Sequence, residues 1–176
     1  TMMNKVFEII EAKKIFDLNY DKLDILVHPK SYVHAITKFK DGMINIVAHD
    51  TNMKIPIFNS LYDNKQKSIH TDQINLNKLN FLDFKKVDTR KFPSIKIIKR
   101  LQNKDSLLET IIVLANDELV NLFLLKKVNF TDINNNLLKL MNMKEIKDLS
   151  LNKPGSVQSI ISINKIVRKK IHQIIK

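Results

Sequence analysis

Glycine and proline are scarce in this sequence, and this limits where its secondary-structure elements can break. Only two glycines and four prolines occur among 176 residues. Because these two residue types are the strongest local punctuators of secondary structure, each one marks a boundary. Beyond Phe92-Pro93, apolar residues recur at helical spacing almost without interruption. The sequence therefore predicts a chain whose second half is mainly helical.

Four helices are predicted in that second half, separated by short polar stretches. Thr131 or Asp132 is expected to cap the third of them and Ser156 the fourth, since hydroxyl and carboxylate oxygens accept from free backbone N–H groups. The helices are predicted at residues 95–101, 107–125, 133–141 and 157–175.

The first half mixes helix and strand. Apolar spacing predicts a helix over Met3–Phe16, and the run at residues 24–28 suits a short buried strand that stops at Pro29. Asp41-Gly42 separates two strand-like runs, at residues 33–39 and 43–48, and supplies the positive backbone angles of a tight hairpin. Pro56 is expected to open a short helix through residue 61.

These patterns predict an α+β fold. A small α/β portion with a β-hairpin and short strands occupies residues 1–66, a connecting segment residues 67–88, and a C-terminal helical bundle of about four helices residues 89–176.

Composition removes several classes of function. Cysteine is absent, which excludes disulfides, thiolate metal sites and a cysteine nucleophile. No apolar run reaches the roughly 20 residues of a membrane span, so no membrane partner is expected and the cytoplasm is the default location. A net charge of +12 could bind a polyanion such as nucleic acid. The lysines are scattered along the chain, however, and this favours a solvated basic surface over nucleic-acid binding.

Asn4, Lys5 and Glu8 form a candidate binding cluster. Spacings of three and four residues bring their side chains out on one face of a helix, close to its N-terminus. The amide and ammonium groups can take phosphate or hydroxyl oxygens, while a carboxylate can bind a divalent cation. The simpler alternative is an exposed Lys5–Glu8 ion pair of little energetic consequence.

Two histidines flank Ser31 in the segment that begins at His28 and ends at His34. Two imidazoles six residues apart could bind a metal or move protons. No third ligand stands at a suitable spacing, which favours a structural or hydrogen-bonded role. The sequence also lacks the glycine-rich loops that bind nucleotides and the Gly-x-Ser-x-Gly elbow of serine hydrolases.

Several of these segments occur in order in a known enzyme family. The opening residues Thr1-Met2-Met3-Asn4-Lys5-Val6-Phe7-Glu8 resemble the Thr-Met-Met-Asn-Lys-Gly-Leu-Glu segment of 1-deoxy-D-xylulose-5-phosphate reductoisomerases. His28-Pro29-Lys30-Ser31-Tyr32-Val33-His34 is similar to the family's His-Pro-Gln-Ser-x-x-His, and Asn52-Met53-Lys54-Ile55-Pro56-Ile57 is similar to its Asp-Met-Arg-x-Pro-Ile. Val6, Lys30 and Thr51 depart from the family pattern.

The resemblance implies a metal-assisted rearrangement of 1-deoxy-D-xylulose 5-phosphate followed by reduction with NADPH, giving 2-C-methyl-D-erythritol 4-phosphate. By the family pattern, Lys5 and Glu8 are catalytic, Glu8 is a ligand of Mg²⁺ or Mn²⁺, and Asn4, Lys5 and Glu8 contact the sugar phosphate. Ser31 and His34 are expected near the substrate, and Met53 near the nicotinamide. The pattern also implies a homodimer.

The resemblance covers the C-terminal part of the family and not its NADPH domain, so the chain alone is expected to be inactive. The alternative from another class is a non-catalytic oligomerisation or scaffold module derived from the enzyme. The residues encoded before Thr1 would discriminate between the two, since the family's Asp-x-Glu carboxylates and glycine-rich nucleotide motif belong there.

Overall fold

The structure is a computed structural model that describes residues 2–62, 67–73, 75–80 and 82–175. The chain forms two compact units, one of Thr1–Ile25 with Asp88–Lys176 and the other of Leu26–Val87. In chain order the elements are α1 (Met3–Phe16), a 3₁₀ helix (Tyr20–Lys22), β1 (Leu26–Val27), β2 (Val33–Lys38), β3 (Ile44–Ala48), α2 (Lys54–Leu61), α3 (Leu76–Leu79), β4 (Lys85–Lys86), a second 3₁₀ helix (Pro93–Arg100), α4 (Leu108–Leu124), α5 (Phe130–Asn142), α6 (Lys144–Ser150) and α7 (Val157–Ile174). The predicted α+β class is confirmed.

Helix α4 is the centre of the first unit. It contacts α1, α5, α6 and α7, which explains why its buried residues lie on more than one face. The facing helices α5 and α7 each contribute an apolar stripe at helical spacing. The residues of this core that are fully buried include Ile111, Ile112, Ala115, Leu119, Leu137, Leu140, Val167 and Ile171.

Helix α1 joins this core through one stripe of its surface. Met3, Val6 and Ile9 are buried, and the helix contacts both α4 and the second 3₁₀ helix. Burying each such side chain contributes about 1.5–3 kcal/mol. The residue that departs from the family glycine, Val6, is 0% exposed, so its side chain is part of the core.

The helix ends correct part of the sequence prediction. The N-cap of α5 is Asn129, whose backbone N–H donates to Asp132 Oδ2 at 2.9 Å, so the predicted cap at Thr131 or Asp132 is wrong. Asp132 acts instead from the third helical position. The predicted cap at Ser156 is confirmed, since its Oγ accepts from Ser159 N at 3.2 Å.

Two further elements of the second half differ from expectation. The helix predicted at residues 95–101 is the 3₁₀ helix Pro93–Arg100. Helix α6 was not predicted, because it has seven residues and buries only Ile146. Such a short helix carries too little apolar periodicity for the sequence alone to reveal it.

The second unit contains the predicted hairpin. Strands β2 and β3 pair antiparallel, and Gly42 between them has φ of 93°. The Asp41 side chain accepts from Met43 N at 2.9 Å, which fixes the turn. The predicted strand at residues 24–28 reduces to β1, and it pairs with β4 from the segment that was expected to be a simple connection.

The rest of the second unit is only partly as expected. Helix α2 begins at Lys54, two residues before Pro56, which is tolerated in the first turn because its missing N–H has no intrahelical acceptor there. The connecting segment also contains α3, while residues 63–66, 74 and 81 lie outside the described part. The compact units divide the chain elsewhere than the predicted domains 1–66, 67–88 and 89–176, and that division stays a prediction.

None of the helices in the described ranges is long and apolar enough to cross a bilayer.

A buried carboxylate ties α4 to α7. Glu118 is 3% exposed, and its Oε1 accepts from His172 Nε2 at 2.9 Å. Its Oε2 lies 2.9 Å from Arg168 Nη1 as an ion pair. The side chains of Arg168 and His172 are about half exposed, so they keep part of their hydration while Glu118 loses nearly all of its own. The buried charge is therefore compensated from one direction, by α7.

Glu118→Gln is expected to lower the free energy of unfolding by about 1–3 kcal/mol, because the ion pair with Arg168 is lost and the hydrogen bond from His172 is weakened at a buried site. The matched control is Glu145→Gln, which removes an exposed carboxylate paired with Lys170 and is expected to cost less than about 1 kcal/mol. Urea denaturation of both variants measures the difference. Equal losses would contradict the structural importance of the Glu118 cluster.

The backbone at Lys126 offers a second test. Lys126 follows α4 with φ of 57°, a conformation that glycine adopts without the steric cost of a Cβ. Lys126→Gly is expected to raise the free energy of unfolding by up to about 1 kcal/mol. Lys127→Gly, at a neighbour without a positive φ, should lower it by a similar amount. Denaturation curves in which both changes destabilise the protein would argue against the left-handed cap.

Candidate functional site

The first turns of α1 present Asn4, Lys5 and Glu8 to solvent. Because Met3, Val6 and Ile9 face the core, the side chains between them emerge on the outer surface of the helix. Lys5 Nζ donates to Glu8 Oε2 at 2.7 Å, and Asn4 is exposed. The predicted meeting of Lys5 and Glu8 is therefore confirmed, and neither is sealed in the core.

The start of α1 has no side-chain cap. Met2 precedes the helix in a left-handed conformation, with φ of 58°, and no acidic residue stands in the first turn. The helix dipole leaves this end with a partial positive charge. An anion approaching Asn4 and Lys5 is therefore attracted by the backbone as well as by the ammonium group.

The ion pair between Lys5 and Glu8 costs little to rearrange. Their side chains are 44% and 54% exposed, and pairs of this kind contribute less than about 1 kcal/mol. Glu8 can therefore exchange its contact with Lys5 for a cation, while Lys5 turns to an anion. The arrangement is chemically suited to hold a phosphorylated ligand and a divalent ion together.

The metal-binding capacity of these residues is limited. Among the residues that the structure describes, no group of three or more histidine, cysteine, aspartate or glutamate side chains is placed to hold a metal ion. Mg²⁺ is commonly held by one or two carboxylates together with water and substrate oxygens. The carboxylate of Glu8 fits one position in such a shell.

Ser31 and His34 belong to the second unit and are described within it. Ser31 is exposed, has φ of 50°, and closes a turn in which its N–H donates to His28 O at 2.9 Å. The ring of His34 stacks on that of His49, with centroids 3.7 Å apart, and its Nε2 lies 3.1 Å from His49 O. A carbonyl accepts, so Nε2 carries the proton. Their approach to substrate stays a prediction.

His28 has a different environment from His34. It is 8% exposed, and its Nδ1 accepts from Tyr32 N at 3.1 Å and from Val33 N at 3.3 Å. Because Nδ1 accepts, Nε2 carries the proton, and this atom has no hydrogen-bond partner in the described part of the chain. These contacts favour the structural alternative for His28, which organises the turn that carries Ser31.

Met53 stands immediately before α2 and is 67% exposed. Its flexible thioether side chain can pack against a planar ligand ring, which is compatible with the predicted contact to nicotinamide. That role stays a prediction.

One partly buried network near the C-terminal end of α1 was not predicted. Tyr20 Oη donates to Glu109 Oε1 at 2.5 Å, and Lys14 Nζ donates to Asp105 Oδ1 at 2.6 Å. Lys14 Nζ also lies 3.6 Å from Glu109 Oε2. The partners are separated by 89 and 91 residues, so no local spacing pattern could reveal them. The network fixes the far end of the helix whose first turns carry the candidate cluster.

Burial and the hydrogen bond to Glu109 raise the pKa of Tyr20. The hydrogen bond to Asp105 raises the pKa of Lys14, and the same bond lowers the pKa of Asp105. Tyr20 and Lys14 contribute fully to the free energy of unfolding below the pKa that each has in the unfolded chain. These contributions are lost as the pH rises through the higher pKa that each has in the folded protein. Asp105 contributes to the free energy of unfolding above the pKa that it has in the unfolded chain. This contribution is lost as the pH falls through its lowered pKa in the folded protein.

Tyr20→Phe tests this network. At pH 8 the variant is expected to be less stable by about 1 kcal/mol, because a buried hydrogen bond is lost. Above about pH 10, where tyrosine ionises in the unfolded chain, the stability of the variant should fall less steeply with pH than that of the parent. Tyr62→Phe, at an exposed ring, is the control. Parallel pH curves for parent and Tyr20→Phe would exclude the network.

Comparisons with known proteins confirm the predicted family. The family described as DXP reductoisomerase C-terminal domain matches residues 49–170. The 1-deoxy-D-xylulose 5-phosphate reductoisomerase of Pelagibacter ubique is 54% identical over 171 residues, which are 97% of this chain and 44% of the relative. The chain thus spans a little under half the length of the curated relatives it matches.

Two solved structures have the same fold over 99% of this chain. The reductoisomerase from Zymomonas mobilis in complex with NADPH has a TM-score of 0.81 at 27% identity, and this chain covers 45% of it. A DOX-P reductoisomerase with fosmidomycin and magnesium has a TM-score of 0.82 at 29% identity, with 44% covered.

Proposed function

Because this chain belongs to the family of DXP reductoisomerase C-terminal domains, we propose that it is the C-terminal part of an enzyme that converts 1-deoxy-D-xylulose 5-phosphate to 2-C-methyl-D-erythritol 4-phosphate. The observation that carries the proposal is the exposed pair of Lys5 and Glu8, 2.7 Å apart at the uncapped end of α1. Identity of 54% to the Pelagibacter reductoisomerase supports the same activity.

In this proposal Asn4 and Lys5 bind the sugar phosphate. The amide of Asn4 donates to hydroxyl or phosphate oxygens, and Lys5 supplies a compact positive charge. The helix dipole at the start of α1 adds to the attraction for the anionic end of the substrate. Ser31 and His34 are proposed as further residues that contact the substrate.

Glu8 supplies one carboxylate oxygen to a divalent cation, Mg²⁺ or Mn²⁺. When bound, the cation polarises the substrate carbonyl and NADPH supplies the hydride. Glu8 orients the ion relative to Asn4 and Lys5, and Met53 packs beside the nicotinamide. Related structures contain NADPH or magnesium, which supports the proposal that both bind to the protein that carries this chain. The family's further carboxylates and its nucleotide-binding domain are needed for turnover, so these residues alone are expected to be inactive.

The partners follow from the same proposal. The substrate is a sugar phosphate, and the assembly is a homodimer in the cytoplasm. The basic charge is spread along the chain as single lysines and short clusters, which supports a solvated surface and not a nucleic-acid site.

A scaffold role is the second candidate, and the hairpin is the observation that favours it. Strands β2 and β3 expose large apolar side chains that a partner or another part of the protein could cover, namely Ile36, Ile44, Ile46 and Val47. Enzymatic activity distinguishes the two candidate functions. A scaffold would keep its assembly and show no NADPH consumption with the sugar phosphate and Mg²⁺.

Glu8→Gln is the direct test in the protein that carries this chain. The change keeps the size of the side chain and removes the charge that binds the cation, so kcat/KM is expected to fall at least about 100-fold, with a higher Mg²⁺ requirement. Rates of NADPH oxidation at several Mg²⁺ concentrations measure kcat/KM and the Mg²⁺ requirement.

The matched control is Glu11→Gln, one turn farther along the same helix at an exposed position. It removes the same charge and should leave kcat/KM within about 2-fold. Unchanged activity in Glu8→Gln, or an equal loss in both variants, would remove Glu8 from the metal site.

A further inference from the structure

A β-bulge lies near the start of the hairpin and contains His34. The register pairs Val33 with Ala48 and Ala35 with Val47, so β2 advances by two residues where β3 advances by one. His34 is therefore the additional residue on β2. A bulge of this kind interrupts the regular alternation of a strand and changes the direction of a side chain. The backbone thus gives His34 a direction that a regular strand would not.

His49 contacts the side chain of His34 in two ways. The two imidazole rings are stacked, with centroids 3.7 Å apart and an angle of 9° between their planes. The Nε2 atom of His34 also lies 3.1 Å from the carbonyl oxygen of His49. Because a carbonyl only accepts, Nε2 donates in this contact, and Nδ1 is the ring nitrogen that remains for a ligand.

His49 is itself held by hydrogen bonds to the backbone. Its N–H donates to Tyr32 O at 3.0 Å, which continues the pairing of the hairpin beyond the end of β3. Its Nδ1 donates to Asp50 O at 2.6 Å. The side chain of His49 is half-buried, whereas that of His34 is exposed. The ring of His49 is therefore the better fixed of the two, and the ring of His34 packs against it.

An exposed histidine needs such support to keep one orientation. The torsion that rotates an imidazole about its last bond has a broad distribution, and exposed side chains change rotamer within nanoseconds. The stack on His49 restricts this rotation for His34. The carbonyl of His49 determines which nitrogen of the neutral His34 ring carries the proton. The ring and the carbonyl of one residue therefore define both the orientation and the tautomer.

We propose that His49 is a positioning residue, which holds the imidazole of His34 in the orientation and tautomer that contact the sugar phosphate. The inference rests on the proposed function, because it takes His34 as a residue that contacts the substrate. His49 acts through His34 alone and makes no contact of its own with the substrate.

A double-mutant cycle in the protein that carries this chain tests the proposal. His49→Ala removes the ring and keeps the carbonyl, so kcat/KM for the sugar phosphate is expected to fall roughly 3- to 10-fold as His34 loses its orientation. His49→Phe restores a flat ring for stacking and should remain within about 2-fold of the parent. In a His34→Ala background, His49→Ala should change kcat/KM less than about 2-fold, because the residue through which it acts is absent.

The matched control is His70→Ala, which removes an exposed imidazole from the same unit and should leave kcat/KM within about 2-fold. The melting temperature of each variant separates a loss of folded protein from a change in the orientation of His34. An equal fall on His49→Ala with and without His34 would overturn the proposal. A fall in His49→Phe as large as that in His49→Ala would also overturn it.

Nitrogen NMR of protein labelled at histidine gives a readout that needs no turnover. At about pH 8, where an ordinary imidazole is neutral, the His34 signals should show the tautomer protonated at Nε2. His34→Ala identifies these signals by their disappearance. In His49→Ala they should move towards a mixture of tautomers, whereas His49→Phe should keep the parent spectrum.

The two readouts separate this inference from the proposed function. An unchanged His34 spectrum in His49→Ala would overturn the positioning role, whatever the activity of the protein. A parent that shows the expected tautomer shift in His49→Ala but no NADPH oxidation with the sugar phosphate would contradict the proposed function instead, and would still support the hold of His49 on His34.

Discussion

The burial of one stripe of α1 against the helical core holds the candidate site in place. Met3, Val6 and Ile9 are almost completely buried, while Asn4, Lys5 and Glu8 lie on the opposite side of the same turns. Each polar side chain is adjacent in sequence to an anchored one, so the packing of the apolar stripe determines where the charged groups project. The core partners of α1 come from residues beyond Asp88 and are therefore distant in sequence.

This anchoring is reinforced at the other end of the helix by polar contacts. Tyr20, Lys14 and Glu109 connect the end of α1 to the start of α4 through hydrogen bonds and a near ion pair. Buried networks of this kind favour one geometry because a displaced partner would leave a buried charge or donor unsatisfied. The helix that carries the site is thus fixed by apolar contacts near its beginning and by polar contacts near its end.

The sequence predicted those elements whose signals are local. The helix Met3–Phe16 and the hairpin at Gly42 were predictable because apolar periodicity and a turn dipeptide act over a few residues. The cap of α5 was misplaced because Thr131 and Asp132 have the chemistry of a cap as much as Asn129 has. Helix α6 and the pairing of β1 with β4 depend on tertiary contacts that local patterns do not encode.

The candidate site was predictable in part for the same reason. The contact of Lys5 with Glu8 follows from spacing within one helix, but the roles of these residues came from the resemblance to reductoisomerases. The separate environments of His28 and His34 could not be read from their six-residue spacing, because burial and the bonds to Tyr32 and Val33 decide them.

The most direct test of the central claim is a crystal structure of the protein that carries this chain with Mn²⁺ and the sugar phosphate bound, using anomalous scattering to locate the metal. We expect a metal peak about 2 Å from a carboxylate oxygen of Glu8, with Lys5 turned from Glu8 towards the phosphate. A metal peak more than about 4 Å from Glu8, with the Lys5–Glu8 pair intact, would contradict it.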